Sequence, residues 1–153
     1  MPERLARRLA KGDIAVCPTL GRVPGVEPPP HVQARLQAAG MSYELHLPHV
    51  AELHRAGVPL TAGTDAGIGP SKTHGLVPMA VLDLVRECGM PSAEALAAAT
   101  SAAAASCGLA DRTGRLAPGL DADLLLVDGD PLTDIAALQR PRLVVARRWE
   151  TAY

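Results

Sequence analysis

The sequence predicts an α/β fold in which short parallel strands alternate with helices and then give way to a small strand-bearing tail. Three observations carry this. Apolar runs at residues 14–17 and 58–62 are short and bounded by Pro18 and a glycine-dense loop, the form of strands covered on both faces. Helical periodicities that stop on glycine lie before, between and after them, and parallel pairing needs such connecting elements where a hairpin does not. From Leu109 onward the punctuation changes to Gly114, Pro118, Gly119, Asp128, Gly129, Asp130, Pro131 and Pro141, around apolar runs at residues 124–127 and 143–146, which read as strands.

Taken in order, residues 1–11 place Leu5 and Leu9 one helical turn apart and end at Gly12, an amphipathic surface helix. Residues 14–17 form the first strand, expected to be fully buried. Residues 21–30 hold Pro24, Gly25 and three consecutive prolines, too many for regular structure and enough for a loop that crosses or covers a site. A helix at residues 31–39 runs to Gly40, and a second, expected to start only after Pro48, runs from His49 to Ala56 and stops at Gly57. The strand at residues 58–62 then enters Gly63, Thr64, Asp65, Ala66, Gly67, Ile68, Gly69 and Pro70. After this loop Leu76, Met79, Leu82 and Val85 recur at helical spacing until Gly89, and an Ala-rich helix begins behind Pro91, with Thr100 and Ser101 positioned to split it. A boundary near residue 108 divides the chain into 1–108 and 109–153.

Composition narrows the function classes. The 153 residues are 48% hydrophobic and 20% charged with a net charge of -1, a globular composition without the cationic field that nucleic acid or an anionic membrane surface requires. Aromatics are 2% and Phe is absent, which disfavours base-stacking platforms and leaves Ala, Leu and Val to build the core. Cys17, Cys88 and Cys107 are an odd number with no CxxC pair, so neither a disulfide framework nor a thiolate zinc site is expected and a reducing cytoplasm fits. No apolar run approaches the roughly 18 residues of a membrane-spanning helix.

Asp65 is the most informative residue. It follows a strand directly and lies among Gly63, Thr64, Ala66, Gly67 and Gly69, small residues that let backbone and substrate approach closely. A carboxylate at the C-terminal end of a barrel strand reads as catalytic. Taken alone, the same residues make an equally good Asp-containing turn.

Several motifs in one order extend the reading: residues 56–67, then His74 and Gly75, then Pro91 with Glu94, Ala95, Leu96, Ala98, Ala99 and Thr100, then Gly114, Arg115, Leu116, Pro118, Gly119, Ala122, Asp123 and Leu124, and finally residues 128–132. Together they resemble the C-terminal half of the amidohydrolase superfamily, in particular its imidazolonepropionase-like and prolidase-like enzymes. The resemblance implies the last two strand-helix units of a (β/α)8 metal-dependent hydrolase barrel, with residues 109–153 contributing to a small composite β-sandwich. It implies that Asp65 is the strand-end Asp that ligates a divalent metal, zinc by resemblance, and shuttles a proton to and from the reacting centre, acting on a small-molecule amide, cyclic amide or X-Pro dipeptide. Such a carboxylate can accept a proton from attacking water and return it to the leaving amine. His74 matches a residue near the substrate in some relatives; a loop His that bonds a backbone carbonyl is an equally good reading. The Asp123 match reads as structural, and the acidic spacing from Asp121 to Asp130 lacks a calcium-loop ligand series because Leu125 fills a ligand position.

The resemblance begins just before the first strand of this chain, at residues 14–17, and the His and bridging ligands of the earlier barrel strands have no counterpart. A catalytic zinc takes three protein ligands, and a complete barrel takes about 250 residues. The expectation is therefore a truncated chain or fragment, inactive by itself, that aggregates, forms a homo-oligomer or binds the missing N-terminal half. A non-catalytic scaffold or one partner of a split hydrolase is the alternative.

Two further patterns weigh less. His46, His49 and His54 are close in sequence, but they do not form HExxH and read as helix-face histidines. Residues 66–73 nearly match the phosphate-cradling GxxxxGK[ST] loop, yet Ser71 occupies the glycine position beside Lys72 and Pro70 removes an N–H. Cys17 has no neighbouring base and reads as buried filler.

Overall fold

The computed structural model describes residues 3–12, 14–146 and 149–152. Among these described residues six helices come first: α1 (Glu3–Lys11), α2 (Pro30–Ala38), α3 (Tyr43–Arg55), α4 (Val77–Arg86), α5 (Ser92–Ala99) and α6 (Ser101–Ser106). Three strands follow, β1 (Leu124–Val127), β2 (Pro141–Ala146) and β3 (Trp149–Ala152), with a 3-10 helix (Ile135–Gln139) between the first two.

Parallel pairing is present but reduced to its minimum. Val16 and Leu60 form a single parallel bridge, in which Val16 N–H donates to the Pro59 carbonyl at 2.9 Å and Thr61 N–H to the Val16 carbonyl at 3.0 Å. Ala62 N–H then bonds the Ala98 carbonyl at 2.9 Å and ties the second segment to α5. Val58, Leu60 and Thr61 are buried as expected, but the first segment is not: Ile14 is 50% exposed, and Cys17 is exposed rather than buried filler. The physical reason is that a parallel strand is buried by neighbours on both edges and helices on both faces, and residues 14–17 have one bridged partner among the described residues.

α3 also corrects an expectation, because it starts six residues before Pro48 would allow an uninterrupted ladder and carries that proline inside it. Ser42 Oγ accepts the Leu45 N–H at 3.1 Å, so the N-cap forms upstream, and burial of Val50 and Leu53 holds the helix on the core. The split at Thr100 is as expected: its φ of -128° and ψ of -93° break the ladder between α5 and α6.

The core gathers Leu20, Val50, Leu53, Val58, Leu60, Val81, Leu84 and Met90 with several alanines. Four residues of α4, Ala80, Val81, Leu82 and Leu84, are buried, and each large one fully covered contributes about 1.5–3 kcal/mol. Ile135 and Leu138 of the 3-10 helix join the same cluster. The sheet runs β1-β2-β3, antiparallel throughout, with a register shift between Leu126 and Val127. Pro141 opens β2, a position where its missing N–H is tolerated. Leu124, Leu125 and Leu126 stay exposed on the edge strand β1.

Candidate functional site

The C-terminal ends of the two bridged segments lead into the loops that carry the candidate chemistry. Asp65, five residues beyond Leu60, is exposed and has φ of +54°, and Thr19, three residues beyond Val16, has φ of +51°. These are the two non-glycine residues with left-handed backbone among those described. For a β-branched residue such as Thr this is a rare conformation, whereas Asp tolerates it better. Gly67, at φ of +97°, has the His74 ring alongside it: a Cβ there would stand 3.4 Å from His74 Nε2, an ordinary contact, so the positive φ rather than crowding is what favours glycine. His74 is exposed and belongs to the same loop as Asp65.

Lys72 closes this loop. Its carbonyl accepts the Gly67 N–H at 2.6 Å and its N–H donates to Gly69 at 3.0 Å. Its ammonium turns away, donating to the Thr19 carbonyl at 2.6 Å and the Leu20 carbonyl at 3.3 Å. Burial lowers the Lys72 pKa, the carboxylates of Asp65 and Asp83 counter that effect, and the Arg22 guanidinium adds to it. The loop amide of Gly67 and the lysine that a phosphate cradle would need are thus bonded internally.

Behind the loops, Tyr43 donates to Asp83 Oδ2, and the Gly21 N–H reaches both Tyr43 Oη at 2.7 Å and Asp83 Oδ2 at 3.0 Å. Burial first, then the bond to Asp83 and its charge, push the Tyr43 hydroxyl well above its ordinary pKa, with Gly21 and Arg22 opposing. Arg22 lies 4.5 Å from the Tyr43 ring centroid and Lys72 Nζ 5.6 Å, within cation–π range. Arg22 also pairs with Glu44 at 2.6 Å. Sequence reasoning missed Tyr43, Asp83 and Gly21 as supports of the strand-end loop and met Lys72 only as part of a phosphate-loop near miss. The proline-rich loop gave no sign that Gly21 would pack against α4.

The remaining histidines separate. His46 Nε2 bonds the Pro18 carbonyl at 2.9 Å, His49 Nδ1 lies 3.5 Å from Glu52, and His54 Nε2 bonds Glu94 at 2.9 Å. They do not converge, and no group of three or more His, Cys, Asp and Glu able to hold a metal occurs among the described residues. Asp123 accepts from the Thr113 hydroxyl at 2.7 Å, and Asp121 pairs with Arg112 at 2.9 Å, which holds the start of the tail together. No helix among the described residues is long and apolar enough to cross a membrane.

Known proteins resemble most of the chain. Imidazolonepropionase of Salinispora tropica is 36% identical over 117 residues, 76% of this chain but 29% of that protein. Ochratoxinase of Aspergillus niger is 36% identical over 112 residues, 72% of this chain and 22% of the enzyme. The crystal structure of A. niger ochratoxinase superposes with a TM-score of 0.72 at 23% identity, covering 99% of this chain and 35% of that one. A Xaa-Pro dipeptidase with bound methionine in its active site gives 0.70 at 24%, covering 100% and 34%. The chain therefore spans less than a third of the curated relatives and about a third of the solved chains, and it shares their α/β fold. With the pattern of the Amidohydrolase family matching residues 3–146, the chain belongs to that family.

Proposed function

We propose that this chain supplies the last strand-end carboxylate, Asp65, to a hydrolase of C–N bonds acting on amides, cyclic amides or X-Pro dipeptides. The observation that carries the reading is the place of Asp65: exposed, left-handed, and just beyond a segment bridged in parallel to its neighbour. The catalytic groups of barrel enzymes sit at this end of their strands. Hydrolase relatives named for imidazolonepropionate, ochratoxin and Xaa-Pro dipeptides support the bond class. In this reading the Asp65 carboxylate accepts a proton from the attacking water and returns it to the departing amine. His74, beside Gly67, orients a substrate carbonyl or carboxylate.

A divalent metal, zinc by resemblance, belongs to the family reading, but the residues of this chain do not fit a complete centre. Three protein ligands are the usual minimum for catalytic zinc, and among the described residues Asp65 stands without two more beside it. Further ligands would come from polypeptide carrying the other barrel strands, with residues 1–108 as the barrel portion and 109–153 as the sandwich portion. The exposed leucines of β1 favour a second reading, in which the chain is one partner of a split hydrolase or a non-catalytic scaffold.

The test is to combine the chain with the N-terminal barrel segment of a relative, supply zinc, and assay cyclic amides and X-Pro dipeptides. Turnover that Asp65→Asn abolishes supports the hydrolase. Full turnover in Asp65→Asn removes Asp65 from the chemistry, and a tight complex without turnover favours the scaffold.

A further inference from the structure

Left-handed backbone at both strand ends raises the question of what holds it. At Thr19 the β-branched side chain crowds the following carbonyl, at a cost of about 1–2 kcal/mol. Such strain persists only where the surroundings over-determine it, and it concentrates at functional sites. One residue reaches both ends. Lys72 is fixed by its main chain within the loop that carries Asp65, through the bonds to Gly67 and Gly69, and by its ammonium to the carbonyls of Thr19 and Leu20 on the other. Its neighbour Ser71 adds a second tie, since the Ser71 carbonyl accepts the Val23 N–H at 2.9 Å.

The other side-chain hydrogen bonds to the backbone of residues 17–23 come from elsewhere. Gly21 is held from behind by Tyr43 and Asp83, and Pro18 by His46. Neither contact touches the Asp65 loop. Among the described residues, Lys72 is the one whose side chain hydrogen-bonds from the Asp65 loop to the other loop, and an ammonium suits this because its three donors can serve several carbonyls at once. A methionine of similar length would keep the packing and donate nothing.

We propose that Lys72 is a positioning residue: it clamps the loops that follow Val16 and Leu60 to each other and thereby fixes the direction in which Asp65 presents its carboxylate. This rests on Asp65 being the reacting carboxylate. It also gives the lysine of the phosphate-loop near miss a different task, because its donors are spent on carbonyls of the adjacent strand end.

The experiment is amide hydrogen exchange on the 153-residue chain as wild type, Lys72→Met and Lys72→Arg. The acceptors for Gly67 and Val23 are backbone carbonyls present in every variant, so faster exchange there reports release of the clamp. Lys72→Met is expected to speed exchange at both amides about tenfold while Ala80 in α4 is unchanged, and Lys72→Arg to restore most of the protection. Unchanged exchange in both loops, or an equal acceleration that includes Ala80, overturns the proposal. In the zinc-supplied barrel, Lys72→Met should lower kcat about tenfold with KM little changed, and Lys72→Arg should recover most of it. A rise in KM at constant kcat would instead make Lys72 a substrate-binding group. If Asp65→Asn keeps full turnover the hydrolase reading fails, and the exchange experiment still decides whether the clamp exists.

Discussion

Tyr43, the first residue of α3, donates its hydroxyl hydrogen to Asp83 Oδ2 on α4, and the Gly21 N–H is shared between the two oxygens. Two helices and the loop beyond the first bridged segment meet at this point. The carboxylate accepts two hydrogen bonds in a half-buried setting, so the arrangement fails if either oxygen is lost.

Tyr43→Phe should therefore lower stability by about 1–3 kcal/mol, since it removes a hydrogen bond to a charged group. The loss should appear in urea unfolding as a lower midpoint with an unchanged slope. A midpoint equal to that of the wild type would mean that Asp83 and Gly21 hold the loop without the phenol.

Gly21 should tolerate no side chain. Its φ is +77°, and a Cβ would stand 2.7 Å from the Leu76 carbonyl oxygen and 2.8 Å from the Ala80 nitrogen, both backbone atoms. Gly21→Ala is expected to cost about 3 kcal/mol, from the left-handed penalty and overpacking together. Gly40 has φ of +64° with nothing within 4 Å, so Gly40→Ala should cost only about 1 kcal/mol. Equal costs in thermal unfolding would show that the contact with α4 is unimportant.

At Asp65 chemistry and stability should separate. Asn adopts left-handed backbone at least as readily as Asp, and the position is exposed, so Asp65→Asn should leave stability within about 0.5 kcal/mol. Asp65→Val should cost about 1–2 kcal/mol for the β-branched side chain at positive φ. Calorimetry of the two variants checks this, and a stable Asn variant makes the activity comparison interpretable.

Cys88 should behave differently from the other thiols. It is buried while Cys17 and Cys107 are exposed, and burial, followed by the charges of Asp83 and Glu87, pushes its pKa from 9.0 up to about 11. A thiol reagent at neutral pH should thus modify Cys17 and Cys107 quickly and Cys88 only on unfolding. Because the folded pKa lies above the unfolded one, the contribution of this group to stability is complete below pH 9 and is lost as pH rises towards 11. Unfolding measured from pH 8 to 11 should show a steeper decline in the wild type than in Cys88→Ala.

Much of the architecture could be read from local signals. Apolar spacing and glycine stops located α4, and the Thr100 break and the runs behind β1 and β2 were equally visible, because these features depend on nearest neighbours along the chain. The start of α3 was not: Pro48 dominates locally, and the Ser42 cap together with burial of Val50 and Leu53 outweighs it. Burial of residues 14–17 was overestimated because an apolar run reports a tendency to be covered, whereas actual cover depends on which segments lie alongside.

The order of motifs by itself determined the family and singled out Asp65 and His74, since residue type at a strand end is a property of the chain. Only the tertiary structure decided that Lys72, 53 residues away from Thr19, bonds its carbonyl, and that Tyr43, Asp83 and Gly21 meet behind it. No periodicity encodes such contacts, which arise when helices close on a shared core and bring distant polar groups into positions where each must find a partner.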